Sequence, residues 1–279
     1  MTEVHWLGHE DCHHTDVVGG KAANLSRLAA LHAVPPGFAI AALDANANGL
    51  PQAIREAVSA AYAKLVEETG EEDVSVAVRS SAIDEDAAGA SFAGQHDTYL
   101  NIRGERAILE AVARCRKSAT SPEALAYREQ QGLSFENVKI GILVQQLVAS
   151  DVSAIIFSHN PINRNPDELV INASWGLGES LVGGTVTPDT YVVRKTDLSL
   201  ISRQVSKKEL MTVMIPEGTK EVPVPKLLSE EPVLNEEQAV EMARMAIKLE
   251  KATSYPVDIE CAIAQDTLYL LQCRPITTL

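Results

Sequence analysis

The last strands constrain the fold most strongly, because residues 257–274 (VDIECAIAQDTLYLLQCR) alternate polar and apolar side chains around a short turn. A period of two predicts a β-hairpin with one buried face. A two-residue turn at Gln265–Asp266 would place Asp258 opposite a cysteine, whereas a three-residue turn that includes Thr267 places it opposite Arg274. We predict the three-residue turn, because it separates polar from apolar side chains. The opposite face then holds Ile259, Cys261, Ile263, Tyr269, Leu271 and Cys273.

This register gathers polar side chains at one end of the hairpin. Glu260 lies opposite Gln272, next to the pair formed by Asp258 and Arg274. Carboxylate and amide oxygens are the hard ligands that Mg²⁺ prefers, and arginine can stabilise the charge on a transferring phosphoryl group. The alternative is a simple cross-strand salt bridge. Phosphate-compatible loops elsewhere in the chain favour the metal–nucleotide interpretation.

Other strands in the second half also predict antiparallel pairing. Val138–Val148 and Val152–Phe157 are β-rich runs separated by a plausible hairpin turn. The runs 186–194 and 198–205 follow each other closely, after a buried strand at 169–173. Because hairpins outnumber strand–helix–strand units, the predicted fold class is α+β with antiparallel sheets.

Helices are predicted from apolar spacing. The ranges are 21–32, 51–69, 104–118, 122–131 and 236–253. Asn235 can cap the last of these, with Gln238 in the capping-box position. Residues 215–233 contain several prolines and charges and predict a surface excursion.

Charge and length exclude several classes of protein. The formal net charge of -14 argues against a nucleic-acid-binding face but not against a local phosphate pocket. No stretch of about 18 apolar residues occurs, and the N-terminus lacks a basic segment followed by an apolar one. We therefore expect a cytoplasmic protein that contacts neither nucleic acid nor membrane. The 279 residues suit one large domain or two lobes.

The cysteines predict structural thiols. Their spacing contains no CxxC motif, which is typical of reduced cysteines. The stretch His9–His14 (HEDCHH) has metal-ligand residue types, but no second ligand pair accompanies it. We predict a solvated N-terminal segment there.

A glycine pair precedes the first long helix, in Val18–Lys21 (VGGK). Glycines allow close backbone approach, a helix N-terminus favours an anion, and Lys21 would add a point charge for a phosphate. The GxxxxGK[ST] spacing of a Walker A loop is missing. An ordinary loop with an exposed lysine is the alternative.

Arg79 ends a β-rich run and is followed by Ser80 and Ser81, and Ser91–Gln95 then form a second flexible turn. A strand-end arginine beside such a stretch suits a polyanionic ligand that must be covered and released. A surface hairpin with an acidic tip at Asp84–Asp86 is equally compatible with the composition.

A second glycine-rich stretch, Trp175–Gly184, follows the buried strand at 169–173. Its one acidic residue, Glu179, could contact a nucleotide or a sugar hydroxyl. A loop packed by Trp175 explains the same residues.

An ordered set of motifs resembles a known family. The stretches are VGGKAANL, VPPGFAI, AVRSSAIDED, ASFAGQHDTYLNI, VQQLV, WGLGES, TPDTYVV, SKKELM, DIE and LQCRP. Together they are similar to the ATP-binding domain of phosphoenolpyruvate synthase, pyruvate phosphate dikinase and rifampicin phosphotransferase. The resemblance covers nearly the whole chain and implies a two-lobed ATP-grasp fold that binds Mg-ATP.

The resemblance also implies roles for individual residues. Lys21 and Arg79 would bind the ATP phosphates, and Glu260 with Gln272 would hold Mg²⁺. Arg274 would stabilise the transferred phosphoryl group. The remaining implied nucleotide contacts are Ser91, Gly94 and Thr98 over the triphosphate, Gln146 and Val148 at the adenine, and Glu179 and Asp258 nearby.

The resemblance further implies an N-terminal lobe over residues 1–100 and a C-terminal lobe over 101–279. Family members transfer phosphate through a histidine on a swivelling domain, and this chain shows no such segment and no acceptor-binding domain. The chain would then be the ATP-binding half of a dikinase-type phosphotransferase, with AMP and phosphate as products and a small-molecule acceptor elsewhere. A non-catalytic nucleotide-binding module and an ATP-grasp ligase working through an acyl phosphate remain alternatives.

Overall fold

The computed structural model describes residues 3–47, 49–83, 98–130, 132 and 138–276. The chain divides into two compact units, Met1–Leu147 and Val148–Leu279. Within the described ranges, no helix has both the length and the apolar composition needed to cross a bilayer.

The first unit is built around one antiparallel sheet. The elements of the unit are β1 (Val4–Trp6), α1 (Thr15–Val18), α2 (Gly20–Leu28), β2 (Gly37–Asp44), α3 (Gln52–Thr69), β3 (Val76–Ala82), β4 (Thr98–Ile102), α4 (Glu105–Ser118), α5 (Pro122–Gln130) and β5 (Lys139–Gln146). The strand order of the sheet is β1-β2-β5-β3-β4.

Helices pack on both faces of this sheet. Val58 of α3 and Val112 of α4 share a buried core with Val78 and Val144 of the sheet. Each such side chain contributes roughly 1.5–3 kcal/mol through the hydrophobic effect. The alternate residues of β3 and β5 point the other way, toward α1 and α2. Arg79 belongs to this second set, since it follows Val78 directly.

The boundary between the units falls later than the lobe boundary expected at residue 100. The reason is that β5 lies between β2 and β3, so residues 101–146 complete the first sheet. The predicted hairpin of Val138–Val148 with Val152–Phe157 is wrong for the same reason. The first of these runs pairs within the first unit and the second within the other.

The second unit contains a six-stranded antiparallel sheet and a separate two-stranded one. The elements of this unit are β6 (Val152–Phe157), β7 (Glu168–Trp175), α6 (Glu179–Val182), β8 (Asp189–Arg194), β9 (Leu200–Gln204), β10 (Leu210–Ile215), β11 (Gly218–Pro223), α7 (Glu236–Thr253), β12 (Val257–Ala264) and β13 (Thr267–Pro275). The larger sheet has the strand order β13-β12-β6-β7-β8-β9, and β10 pairs with β11 in the smaller one. Neighbouring strands in every sheet are antiparallel, which confirms the α+β class.

Helix α7 packs on one face of the larger sheet and has the predicted capping box. The Asn235 side chain accepts a hydrogen bond from the backbone of Gln238, and the Gln238 side chain accepts one from the backbone of Asn235. Residues 218–223 of the predicted surface excursion form β11, and every residue of this strand is exposed or partly exposed.

Candidate nucleotide site

In the first unit, the glycine pair of VGGK lies against the end of β3. Gly19 has a φ of +82°, and a Cβ built on it would lie 1.9 Å from the backbone oxygen of Ser81. Gly141 of β5 is similarly crowded, with a Cβ position 2.2 Å from the backbone oxygen of Val18. Both positions require glycine, Gly19 for its backbone conformation as well as for space.

Ser81 also caps the helix that these glycines precede. Its Oγ accepts a hydrogen bond from the Ala22 backbone N–H at 3.0 Å, in the first turn of α2. That N–H has no intrahelical partner, and Gly19 at the N-cap has no side chain to provide one. Lys21 donates from Nζ to the backbone oxygen of Ser80 at 3.3 Å. These hydrogen bonds therefore hold the start of α2, with Lys21, against the end of β3.

Arg79 is a second cationic residue at the end of β3 where Lys21 binds. It lies two residues before Ser81 on β3, so both side chains project from the same face of the sheet. Its direct partner on β4 is Thr98, which is exposed, while Arg79 is half-buried. The structure thus brings Lys21, Arg79 and Thr98 together beside a helix N-terminus, an arrangement suited to an anion.

Ser91 and Gly94, the other residues predicted to cover the triphosphate, lie outside the described residues. So do the acidic residues Asp84–Asp86.

The two glutamines of VQQLV have different environments. Gln145 is buried and donates from Nε2 to the backbone oxygen of Pro35 at 3.0 Å. Gln146 is half-buried and donates from Nε2 to Glu71 Oε1 at 2.8 Å. Val148, the other predicted adenine contact, has a carbonyl that accepts from the Ser150 N–H at 2.9 Å. An adenine contact through Gln146 therefore has to displace or share its bond to Glu71.

In the second unit, the hairpin β12–β13 has the predicted pairing of polar residues. Asp258 lies opposite Arg274, and Glu260 lies opposite Gln272. Since paired residues project from the same face, all four side chains share one face of the sheet, as predicted.

The turn that produces this pairing is not the predicted one. It contains two residues, Gln265–Asp266, both at positive φ, as a tight hairpin turn requires. A β-bulge next to Cys261 leaves Leu271 as the extra residue and shifts the register by one. Leu270 is then the fully buried partner of Cys261, so the prediction of Tyr269 and Leu271 on the core face is wrong.

Asp258 and Arg274 form an ion pair that satisfies one carboxylate oxygen. Arg274 donates from Nε at 2.9 Å and from a terminal nitrogen at 2.8 Å, both to Oδ2 of Asp258. Among the described residues, the buried Oδ1 of Asp258 has no hydrogen-bond partner. Burial raises the pKa of Asp258, the charge of Arg274 opposes this, and Glu260 adds to the rise. The salt bridge considered from the sequence is therefore present, and it satisfies one of the two carboxylate oxygens.

The pair Glu260 and Gln272 offers two oxygen ligands on the face opposite α7. Both side chains are half-buried. Their Cβ atoms are about 5 Å apart, the usual separation of direct cross-strand partners. The described residues contain no group of three or more His, Cys, Asp or Glu side chains suited to a metal. Mg²⁺ is usually bound through one or two protein oxygens plus phosphates and water, so this donor set fits a nucleotide-completed Mg²⁺ site.

Glu179 lies at the start of α6 and contacts the smaller sheet of the second unit. Its Oε2 accepts a hydrogen bond from Thr219 Oγ1 of β11 at 2.7 Å. The loop before it packs closely on β10, since a Cβ on Gly176 would lie 2.3 Å from the backbone oxygen of Thr212. Trp175 donates from Nε1 to the backbone oxygen of Leu228 at 3.1 Å. The contacts of this loop are therefore those expected of a packed loop, and the nucleotide role of Glu179 stays a prediction.

Comparison with known proteins assigns the chain to a family. Residues 44–279 match the family described as pyruvate phosphate dikinase, AMP/ATP-binding domain. The chain belongs to this family. A probable phosphoenolpyruvate synthase of Methanocaldococcus jannaschii is 39% identical over 321 residues, which cover 100% of this chain and 27% of that protein.

Other relatives support the same family assignment. A phosphoenolpyruvate synthase of Pyrococcus furiosus is 43% identical and covers 82% of this chain and 29% of its own length. An uncharacterized phosphotransferase of Bacillus subtilis, YvkC, is 43% identical over 74% of this chain and 24% of its own length. The chain thus spans 24–29% of the length of these relatives. The crystal structure of PH1788 from Pyrococcus horikoshii Ot3 aligns with a TM-score of 0.40 and 13% identity over 80% of each chain, a likeness too distant to inform the site.

Two stretches of this family member, TPDTYVV and SKKELM, meet in a buried ion pair that the sequence did not reveal. Lys208 Nζ lies 2.7 Å from Asp189 Oδ1, and both side chains are fully buried. Asp189 also accepts from the backbone N–H groups of Ser206 and Val233, at 2.9 and 2.8 Å, and from the hydroxyl of Tyr191. Burial raises the pKa of Tyr191 to about 12. The network anchors β8 to the two segments that flank the smaller sheet.

The cysteines are structural, as predicted. Each is buried, and none forms a disulfide within the described residues: Cys12, Cys115, Cys261 and Cys273. Burial raises the pKa of Cys12 to about 11, so its thiol stays protonated near neutral pH. The prediction of a solvated N-terminal segment is wrong at its centre, because Cys12 is fully buried in a short helical turn over Glu10–His13.

Proposed function

We propose that this chain is the Mg-ATP-binding half of a dikinase-type phosphotransferase. It passes a phosphoryl group from ATP to a histidine on a separate domain or subunit and leaves AMP and phosphate. The observation that carries the proposal is the polar face of β12–β13, where Asp258 lies opposite Arg274 and Glu260 opposite Gln272 in a member of an AMP/ATP-binding family.

The residues of the second unit divide the work at the phosphates. Glu260 and Gln272 would hold Mg²⁺, which neutralises phosphate charge when it is bound. Arg274 would stabilise the phosphoryl group as it transfers. Asp258 keeps the Arg274 guanidinium in place through the two hydrogen bonds to Oδ2.

The residues of the first unit would bind the nucleotide. Lys21, Arg79 and Thr98 would contact the phosphates, supported by the helix start that Ser81 caps. Gln146 of this unit, with Val148 and Glu179 of the second unit, would contact the base and sugar. Ser91 and Gly94 would cover the triphosphate, in keeping with the family resemblance.

The partial coverage of the relatives supports the proposal that other domains act with this chain. Because the relatives extend well beyond the matched region, we propose that a histidine-bearing domain and an acceptor-binding domain act together with this chain. The acceptor is a small molecule whose site lies on that second domain.

Calorimetry tests the first step. The chain should bind Mg-ATP, and Lys21→Ala should weaken binding at least tenfold, since a direct charge–phosphate contact is lost. Lys117→Ala, which removes an exposed lysine at the end of α4, is the matched control. Equal affinity of the two variants would contradict the role of Lys21.

Product analysis tests the second step. Labelled ATP should yield AMP, and label should appear on histidine, only after a family histidine-bearing domain is added. Binding of Mg-ATP without AMP formation would instead indicate a non-catalytic nucleotide-binding module. ADP formation dependent on a carboxylate substrate would indicate an ATP-grasp ligase.

A further inference from the structure

The sheet that carries Glu260 and Gln272 has further polar residues in the same row. The pairing runs without a register shift from Glu260 to Ile155 on β6, from Ile155 to Asn172 on β7, and from Asn172 to Thr190 on β8. Directly paired residues project from the same face. Asn172 and Thr190 therefore share the face of the proposed metal ligands.

This face is accessible in the middle of the sheet. Ile155 and Phe157 belong to the central strand β6 and keep part of their surface exposed, whereas Ile156 between them is fully buried on the α7 side. An open apolar floor bordered by polar groups is the usual form of a small-molecule site. Asn172 stands at the border of this floor, half-buried.

Thr190 orients the amide of Asn172. Its Oγ1 donates to Asn172 Oδ1 at 2.9 Å. Within residues 138–276, the Nδ2 group of Asn172 makes no hydrogen bond, so both of its hydrogens remain to donate to a ligand. Asn172 lies two strands from Glu260, a separation of about 10 Å at the usual strand spacing. A polyphosphate bound through a metal at Glu260 can reach across that distance.

We propose that Asn172, oriented by Thr190, is a further binding residue of this site and donates to an oxygen of the ligand's polyphosphate chain. The inference rests on the proposed function, because it takes Mg-ATP as the ligand. It adds a polar contact on the opposite side of β6 from the metal ligands.

Asn172→Asp tests the contact. The carboxylate still accepts from Thr190, but it replaces two donors with a negative charge facing a phosphate. Mg-ATP binding, measured by calorimetry, should weaken about tenfold or more. Magnesium tripolyphosphate should lose affinity to a similar degree, and adenosine should not.

Asn235→Asp is the matched control. It makes the same chemical change in the same unit, and aspartate serves equally well as the N-cap of α7. Equal affinity of Asn172→Asp and Asn235→Asp for both ligands would overturn the proposal. A loss confined to adenosine would overturn the phosphate assignment.

Thr190→Val keeps the proposal testable should Asn172→Asp fold poorly. It removes the orienting hydroxyl and leaves the amide intact, so affinity for Mg-ATP should fall about threefold with an unchanged melting temperature. Unchanged affinity would count against the proposal. If the wild-type chain itself binds no Mg-ATP, the proposed function fails and not this contact alone.

Discussion

The larger sheet of the second unit carries two ion pairs that differ in how completely they are satisfied. At β8, Asp189 and Lys208 are fully buried, and both carboxylate oxygens of Asp189 accept hydrogen bonds. At β12–β13, Arg274 is 32% exposed, and only one oxygen of Asp258 is bonded among the described residues.

The difference indicates that the Asp189 pair stabilises the fold, whereas the Asp258 pair is suited to binding a ligand. A buried charge is tolerated when every lone pair finds a partner, and the Asp189 network meets that requirement from within the protein. The Asp258 pair leaves one buried carboxylate oxygen without a partner among the described residues, which is costly for stability, and it leaves part of the Arg274 guanidinium exposed, which is useful for a ligand. We therefore expect the two pairs to respond in opposite ways to mutation.

Removing Arg274 should have the largest effect on turnover. With a histidine-bearing domain present, Arg274→Ala should lower AMP formation at least about a thousandfold, the usual contribution of an arginine at a phosphoryl-transfer site. Calorimetry should show that most of the Mg-ATP affinity remains. Arg106→Ala, at an exposed arginine of α4, is the control, and equal turnover in the two variants would disprove the role of Arg274.

Removing Lys208 should have the largest effect on stability. Lys208→Ala leaves Asp189 buried without its cation, at a cost of about 3–5 kcal/mol in the free energy of unfolding. Lys207→Ala, at a neighbouring exposed pair with Glu209, should change it by less than about 0.5 kcal/mol. Urea denaturation measures both, and a similar small loss in the two variants would erase the contrast between the ion pairs.

In the first unit, close backbone packing, and not an ion pair between side chains, is the feature whose effect on stability can be compared. Gly19→Ala forces a Cβ against the backbone oxygen of Ser81 at an unfavourable φ, and should cost about 3 kcal/mol. Gly70→Ala also has a positive φ but open space around it, and should cost about 1 kcal/mol. If urea denaturation gives equal losses in the free energy of unfolding for the two variants, the close contact between Gly19 and Ser81 does not add to the cost of Gly19→Ala.

The smallest expected effect is the change in folding stability with pH that Asp258 causes. Because burial raises the folded pKa of Asp258 above its ordinary value of 3.8, folding favours the protonated carboxyl. That contribution is complete below the ordinary value and is lost as pH rises through the folded pKa. Wild type should therefore lose stability relative to Asp258→Asn as pH rises from about 3.5 to about 7. A gain for wild type over this range would mean that Arg274 outweighs burial.

Some of these features follow from local patterns. The capping box of α7 and the pairing of Glu260 with Gln272 were predictable, because each depends on residues close in sequence. The turn and bulge were not, since a two-residue turn with one extra residue in β13 gives the same pairing near Asp258 as a three-residue turn. The pairing of Val138–Val148 was also not predictable from the sequence, because its strand partners lie on distant segments.

The sequence by itself determined the α+β class, the polar face of the last hairpin and the glycine-bordered helix start, all of which depend on local spacing. Only the tertiary structure decided that Gly19 is crowded by Ser81, that Asp189 meets Lys208, and that Asn172 lies in the row of Glu260. These are contacts between segments far apart in the chain. No local pattern encodes them, because they arise from the order of strands in each sheet.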